Sequence, residues 1–539
     1  MFRPLLRWMT ALWVVLIPYA VSATEQLLLL PQPTSITMAE GHFHLTSATR
    51  LYVADGLWNP AERFVEDVAE MIPLKAPRTL TRREGGIRLS LDSQLSEEAY
   101  RMEITSQTIT IAGGSPAGVY YALQSLRQLV VQHRDAIPCC TIEDCPNFAY
   151  RGAHMDVVRH FFTVEEVKRY LDILAAHKLN RLHWHLTDDQ GWRIEIKRYP
   201  ELTERASKRN ETLIGHCLRS TTYDGIPYGP YFYTQEEIRD IVRYAAERYI
   251  TIIPEIEMPS HAQAALHALP WLGCEEQQVE VWTHWGVSPE VMCGGKETTY
   301  EFLENVLTEV IDLFSSEYIH IGGDECPKER WEECEHCQAR IRELGLKDES
   351  ETRTAENQLQ SYLTGRIERF LAKHGRRIIG WDDILAGGVS PEATVMSWQG
   401  SKGGIYAAKH GNLAIMAPMD YCYFDFYQTK SQEGEGLAIG GWVSFEKVYG
   451  WNPYEGLTAD ERPYIYGLQC NLWSEYITSF DHLQRMLLPR LAALAEVQWA
   501  TDRRNPATIR ARMEQMRRLY KLYGWSYAPY YTGVKTKCV

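Results

Sequence analysis

Residues 320–331 read His-Ile-Gly-Gly-Asp-Glu-Cys-Pro-Lys-Glu-Arg-Trp, which sets Asp324 and Glu325 side by side after two glycines. Adjacent carboxylates repel each other, and such a pair is ordinarily a solvated turn. The chemistry it can offer is general acid–base work. Gly322 and Gly323 let the backbone approach such a site closely. His183-Trp184-His185 raises a second possibility. On a strand, residues two apart share a face, so both imidazoles can reach one metal ion, as in a metal-dependent barrel hydrolase. Cys326, Cys334 and Cys337 form a loose cluster with His336, at a spacing that matches no standard zinc ribbon or finger. Cys274 and Cys293 flank a Trp-rich segment and are candidates for a disulfide staple.

These residues need elements to hold them. From Arg151 onward, short apolar runs recur at 151–158, 181–186, 250–257, 318–325, 377–383, 393–398, 413–418 and 465–473, separated by helix-like stretches. Thr163 with Glu166, Thr234 with Glu237 and Thr298 with Glu301 have capping-box spacing ahead of apolar periodicity. Eight buried strands with crossover helices predict a (β/α)8 TIM barrel over 148–500. Residues 384–392 are too few for a full helix, so the fifth crossover must be degenerate. Ahead of the barrel, residues 24–147 carry short alternating runs and one long helical pattern, "SPAGVYYALQSLRQLVVQ", and predict a small α/β domain. "IPCCTIEDCPNFAYRG", with two prolines and three cysteines, reads as the junction. Residues 501–539 are expected to form a final basic helix and tail on the barrel.

In such a barrel the C-terminal strand ends carry function. In order they hold Asp156 and Arg159, His185 and Asp188, Glu257 and His261, Asp324 and Glu325, Trp381 and Asp382, Trp398, Tyr423 and Asp425, and Trp473 and Glu475. One polar strand end is a cap; eight with three indoles are not. A mouth of carboxylates and tryptophans suits a neutral sugar, with acceptors for hydroxyls and flat apolar walls.

"RGAHMDVVRHFF", "KLNRLHWHLTDDQGWRIEI", "PEIEMPSHAQA", "HIGGDEC", "GWDDIL" and "NLWSEY", in this order, resemble the family 20 glycoside hydrolases, the exo-β-N-acetylhexosaminidases. Residues 24–147 resemble the small α/β domain that precedes the barrel in that family. The resemblance implies hydrolysis of terminal β-linked GlcNAc or GalNAc with retention, the sugar's own acetamide serving as nucleophile, which is an exception to the usual two-carboxylate scheme. It implies Glu325 as general acid, Asp324 as orienter of the acetamide, and Tyr423 as donor to the acetamido oxygen, with Tyr421 the alternative register. Arg159, Asp425 and Glu475 would bind sugar hydroxyls, Trp381, Trp398 and Trp473 would box the sugar, and Asp188 and His261 would support the acid–base pair. It implies no cofactor and no catalytic metal. The His183/His185 metal hydrolase and a non-catalytic sugar-binding barrel are the rival readings.

Composition limits the partners. The 539-residue chain has a formal net charge of −14, which disfavours nucleic acid and anionic membranes. It carries 16 Trp and 31 Tyr, ample for a large core and for stacking on sugar rings. Arg3 and Arg7 precede an apolar run that ends at Val21-Ser22-Ala23, the pattern of a secretory signal peptide cut after residue 23. The mature protein is thus expected to be periplasmic or secreted, and not inserted in a membrane. The partner expected is a glycan with a terminal β-N-acetylhexosamine. Oligomeric state and disulfide pairing stay open.

Overall fold

The computed structural model describes residues 27–79 and 85–530. The signal-peptide reading of residues 1–23 falls outside them. Among the described residues, no helix is long and apolar enough to cross a membrane.

Eight parallel strands close into a barrel: Tyr150–Asp156, Arg181–His185, Thr251–Glu255, Tyr318–His320, Arg377–Trp381, Thr394–Ser397, Ala414–Met416 and Ile465–Cys470. They lie within the eight predicted runs or one residue beyond. Each is buried on both faces, which explains why they read as continuous apolar runs rather than as alternation. The last strand pairs with the first, Gly467 opposite Tyr150 and Cys470 opposite Ala153. Gln498, on the helix Arg490–Ala500, donates to the carbonyls of both Gly152 and Leu468 and so pins that seam.

The helices form where their caps permit. Thr163 with Glu166 and Thr234 with Glu237 make complete capping boxes. The third predicted box does not form: the helix Glu297–Leu313 begins one residue before Thr298, with Lys296 as its N-cap. Lys296 is held there by its own ammonium, which donates to the carbonyl of Gly273 at 2.7 Å and pairs with Glu276 at 2.9 Å. The fifth crossover is indeed reduced, to a single 3-10 turn at Asp382–Leu385.

The small domain is a seven-stranded mixed sheet with the helices Trp58–Val68 and Pro116–His133. One expectation fails here. Much of the Pro- and Cys-rich segment read as a junction is a strand, Ala136–Asp144, paired on both sides. Pro138 is tolerated because it faces His42, where the register with the neighbouring strand shifts. The domains meet through buried ion pairs, Lys178 with Asp144 at 3.2 Å and Arg151 with Glu98 at 2.7 Å. The final helix, Ile509–Leu522, packs along the helix Pro116–His133 of the small domain, and Tyr520 bonds His177 at the end of the first barrel helix.

Candidate active site

The turn after barrel strand four is built for close approach. Gly322 and Gly323 have φ of 63° and 91°. A Cβ on Gly322 would lie 1.8 Å from Glu257 Oε2, and one on Gly323 would meet Ile384 at 2.8 Å. Glycine is therefore required by contact as well as by backbone angle. Glu325 itself has φ 47° and His261 φ 49°, conformations that non-glycine residues adopt at a cost of about 1–3 kcal/mol each. The Glu325 N–H is held by Asp383 Oδ1 at 3.3 Å.

His261 sits between two pairs of acids. Its Nδ1 faces Asp188 Oδ1 and Asp189 Oδ2, both at 3.2 Å, and its Nε2 lies 3.7 Å from Asp324 and 3.5 Å from Glu325. Burial works against charge on this imidazole, but Asp188 and its other acidic partners outweigh burial and hold the pKa well above the ordinary value. The two adjacent carboxylates differ. The Asp324 side chain is buried and Oδ1 has no hydrogen-bond partner, whereas the Glu325 side chain is 42% exposed. Burial drives the Asp324 carboxyl well above its usual range; His261 opposes this, and Asp383, Glu255 and Glu325 reinforce it. Glu257 below is also raised, by burial and then by Asp324.

Arg159 anchors the opposite wall. It reaches Asp188 at 2.7 Å, Asp156 at 3.2 Å and Glu475 at 4.0 Å, and its guanidinium lies 5.0 Å from the Trp473 ring centre. Trp473 is 5.9 Å from Trp381, and Trp398 stacks near Tyr423 with centroids 6.2 Å apart. Asp425 is buried with an unpartnered Oδ1, and burial plus the neighbouring Glu475 raise its pKa well above the ordinary value. Tyr421, the alternative to Tyr423, stacks on Trp451 instead, with centroids at 5.4 Å. A cavity of about 610 Å³ opens beside Glu325, lined by Lys328, Asn357, Gln360, Asp383 and Gln399 among others. The structure thus gathers Arg159, Asp188, His261, Asp324, Glu325, Tyr423, Trp473 and Glu475 through shared contacts, with Trp398 beside Tyr423 and the buried Trp381 against Trp473.

Three residues escape the strand-end reading. Asp383 reaches the Glu325 turn: it accepts from Trp398 Nε1 at 2.8 Å and Gln399 at 3.0 Å, while Asp382, which lines the same cavity, accepts from Ser397 at 3.1 Å. Asp189, beside the selected Asp188, binds the other side of the His261 nitrogen. Glu255 lies one layer down. His185 and Glu255 share a very short hydrogen bond. His183 Nε2 lies 3.1 Å from the same carboxylate, whose other oxygen accepts from Trp381 Nε1 at 2.8 Å and lies 2.9 Å from His320 Nδ1, the nitrogen that takes the Gly322 N–H at 3.1 Å. His183 and His185 do converge on one partner, as the metal reading required. That partner is a carboxylate already hydrogen-bonded by His185 and Trp381, and His185 Nε2 goes on to Asp188 Oδ2 at 2.9 Å. This supports the pair as a buried bridge from the barrel floor to the mouth.

The cysteines depart from their expected grouping. All eleven described cysteines are free thiols, so Cys274 and Cys293 make no staple. Cys326 donates to the Pro327 carbonyl at 3.6 Å and packs against the edge of the cluster that holds Cys334 and Cys337, without its sulfur joining theirs.

The arrangement can protonate a leaving oxygen from an exposed carboxyl while a buried one next to it accepts an N–H. Known proteins with this layout bear on it directly. The family model described as "Glycosyl hydrolase family 20, catalytic domain" matches residues 148–502, and "Glycosyl hydrolase family 20, domain 2" matches residues 26–145. A beta-hexosaminidase of Porphyromonas gingivalis is 42% identical over 487 residues, covering 87% of this chain and 60% of the relative. One from Vibrio furnissii is 35% identical, covering 89% of this chain and 77% of the relative. The chain thus spans about three-fifths of the length of the first of these. An exo beta-N-acetylglucosaminidase structure from Vibrio harveyi, in complex with N-acetylglucosamine, superposes with a TM-score of 0.80 at 31% identity, covering 94% of this chain and 78% of that one. With both of its folded parts matched in sequence and the barrel matched in structure, the chain belongs to glycosyl hydrolase family 20.

Proposed function

We propose that the protein removes terminal, non-reducing β-linked N-acetylhexosamine from glycans, with retention and with the sugar's acetamide as nucleophile. The observation that carries this reading is the buried, unpartnered Oδ1 of Asp324 directly beside the more exposed Glu325. Their nearest oxygens and His261 lie within 4.8 Å of one another. Carboxyl groups so close leave no room for the water of an inverting pair, which needs about 6.5–9.5 Å, and neighbours on one turn cannot take the two sides of the anomeric carbon that an acid and an enzyme nucleophile must occupy. An acetamide fits instead. Its N–H donates to Asp324, and its carbonyl oxygen, held by the Tyr423 hydroxyl, attacks the anomeric carbon.

Glu325 protonates the departing oxygen, and the aglycone leaves through the cavity beside it. The cyclic oxazolinium intermediate carries positive charge next to Asp324. Water then attacks the anomeric carbon while Glu325 takes its proton, the C1–O bond of the cyclised acetamide breaks to give back the acetamide, and the second inversion restores the starting configuration. Burial favours the neutral form of the Asp324 carboxyl; an N–H donor favours the anion, so substrate binding itself shifts the carboxyl toward the charged form that the intermediate needs. Arg159, Asp425 and Glu475 take the sugar hydroxyls, and Trp381, Trp398 and Trp473 the apolar faces. Such close capping of the outer hydroxyls leaves space for one sugar and makes the action exo. The leader pattern of residues 1–23 supports export to the periplasm or medium, which N-terminal sequencing of the mature protein tests.

The mechanism is tested with nitrophenyl β-N-acetylglucosaminide as substrate and a thiazoline mimic of the cyclised acetamide as inhibitor. The thiazoline should bind far more tightly than substrate, as intermediate analogues do. A 2-fluoro sugar should leave the protein mass unchanged; a stable glycosyl adduct on a carboxylate would defeat the proposal.

A further inference from the structure

Four cysteines that no reading of the sequence groups together converge outside the active site. Cys274 and Cys293 come from the long excursion after barrel strand three, and Cys334 and Cys337 from the excursion after strand four. Their sulfurs all lie within 4.8 Å of one another. The Sγ separations are 3.6 Å for Cys293 and Cys337, 3.7 Å for Cys293 and Cys334, and 4.0 Å for Cys274 and Cys337. A Zn–S bond of about 2.3 Å puts the corners of a tetrahedral four-thiolate site about 3.8 Å apart. A disulfide would need about 2.05 Å.

The surroundings suit an anionic metal–thiolate centre. The Gly295 N–H donates to Cys293 Sγ. Cys334 is the N-cap of the ten-residue helix Glu335–Leu344 and Cys337 lies in its first turn, so the positive end of the helix faces both sulfurs. Gly295 packs on the backbone of His336 and Cys337, where a Cβ would meet main-chain atoms at 2.1–2.3 Å. This close approach brings the Cys293 turn against the Cys-x-x-Cys turn. Cys293, Cys334 and Cys337 are buried in a small apolar cluster with Trp331, Ile341 and Leu359, apart from the main core. Cys274 is only partly buried, which gives a metal a way in. Lys296, anchored to the Gly273 carbonyl, adds a nearby positive charge.

We propose that Cys274, Cys293, Cys334 and Cys337 bind one structural zinc ion as thiolates. The ion displaces four protons into solvent, with no change of oxidation state. It ties together two loops that share little secondary structure: one carries His261, the other begins at Asp324 and Glu325. The zinc therefore fixes the imidazole relative to the acids without touching substrate. Four protein ligands close the coordination shell, as in structural rather than catalytic sites.

The test uses the full chain, purified without a metal-chelating tag. Elemental analysis should find about one zinc per chain, as a closed four-thiolate site requires. Alkylation followed by peptide mapping should find these four cysteines protected until a strong chelator is added. Cobalt(II) exchanged into the protein should show thiolate charge-transfer bands and the intense visible absorption of tetrahedral coordination. The Cys334→Ser/Cys337→Ser protein should lose the metal, and Cys145→Ser, away from the cluster, should keep it. Should the double variant not fold, the wild-type zinc, alkylation and cobalt measurements still decide. Two disulfides among the four residues, four freely alkylated thiols without metal, or iron in place of zinc would each overturn the assignment.

Discussion

Replacing Asp324 by Asn separates charge from shape. The side chain keeps its volume, but Oδ1 loses the negative charge that makes it a strong acceptor for an N–H. A hydrogen bond to a charged group contributes about 1.5–3 kcal/mol, and removing a preorganised electrostatic contact from a water-excluded site costs about 10²–10³ in kcat. Because Asp324 is buried and its free oxygen has no protein partner, the larger figure applies on 2-acetamido substrates. Stability should move the other way. Asp324 stands against Asp383, Glu255 and Glu325, and its raised pKa means that ionising it costs folding energy as the pH rises above the unfolded value. The Asn variant escapes that cost, so it should melt no lower than wild type, with an advantage that grows with pH. The assay pairs kcat on nitrophenyl β-N-acetylglucosaminide with melting temperature across the pH range. Near-normal rates in a well-folded variant would refute the role given to Asp324. So would a loss of rate that merely follows a fall in melting temperature.

Three further outcomes follow from the same turn. Glu325→Gln should lower kcat by about 10²–10⁴ on poor leaving groups and much less on activated aryl glycosides, because these need little protonation; equal losses on both would exclude Glu325 as the acid. Gly322→Ala should unfold more easily and lose about 10² in kcat, since its Cβ would displace Glu257 and with it the carboxyl pair. Gly345→Ala, at a similar positive φ with nothing within 4 Å, supplies the backbone cost alone, so equal behaviour of the two variants would sink the steric argument. Glu257→Gln should stabilise the protein at alkaline pH. Burial and Asp324 raise the Glu257 pKa in the fold, so wild-type stability falls by about 1.4 kcal/mol per pH unit above the unfolded carboxyl pKa until the folded one is reached. Denaturant titrations at stepped pH should show the gap widening, and a constant gap would contradict it.

The barrel was legible because parallel strands buried on both faces write themselves as apolar runs, and because two of three capping boxes signal helix starts. The strand Ala136–Asp144 was hidden by its proline and cysteines, residues that normally mark a break; its register shift is set by the partner strand and has no local signature. Within the site, Asp324, Glu325 and the indoles were readable from their place at strand ends. Asp383 was not, because two consecutive aspartates follow Trp381 and only the turn geometry decides which one reaches the Glu325 turn. The thiol cluster was illegible for a different reason: its halves lie on separate loops, and nothing in the chain order couples Cys274 and Cys293 to the Cys-x-x-Cys turn.

The seam between the first and last barrel strands has a consequence for how the chain is made. Tyr150 and Gln469, which share a hydrogen bond across that seam, are 319 residues apart. At ribosomal rates of about 5–20 residues per second, the first strand waits on the order of 15–60 s for its partner to be synthesised. During that interval it can pair with the second strand, but its other edge presents unpaired N–H and C=O groups. The small domain has no such delay, since all its strands are complete by Asp144. It can fold while the barrel is still emerging and stand beside the open edge as a ready surface. Barrel closure is therefore the step at which nascent chains are most exposed to aggregation, and the one that chaperone binding would be expected to guard.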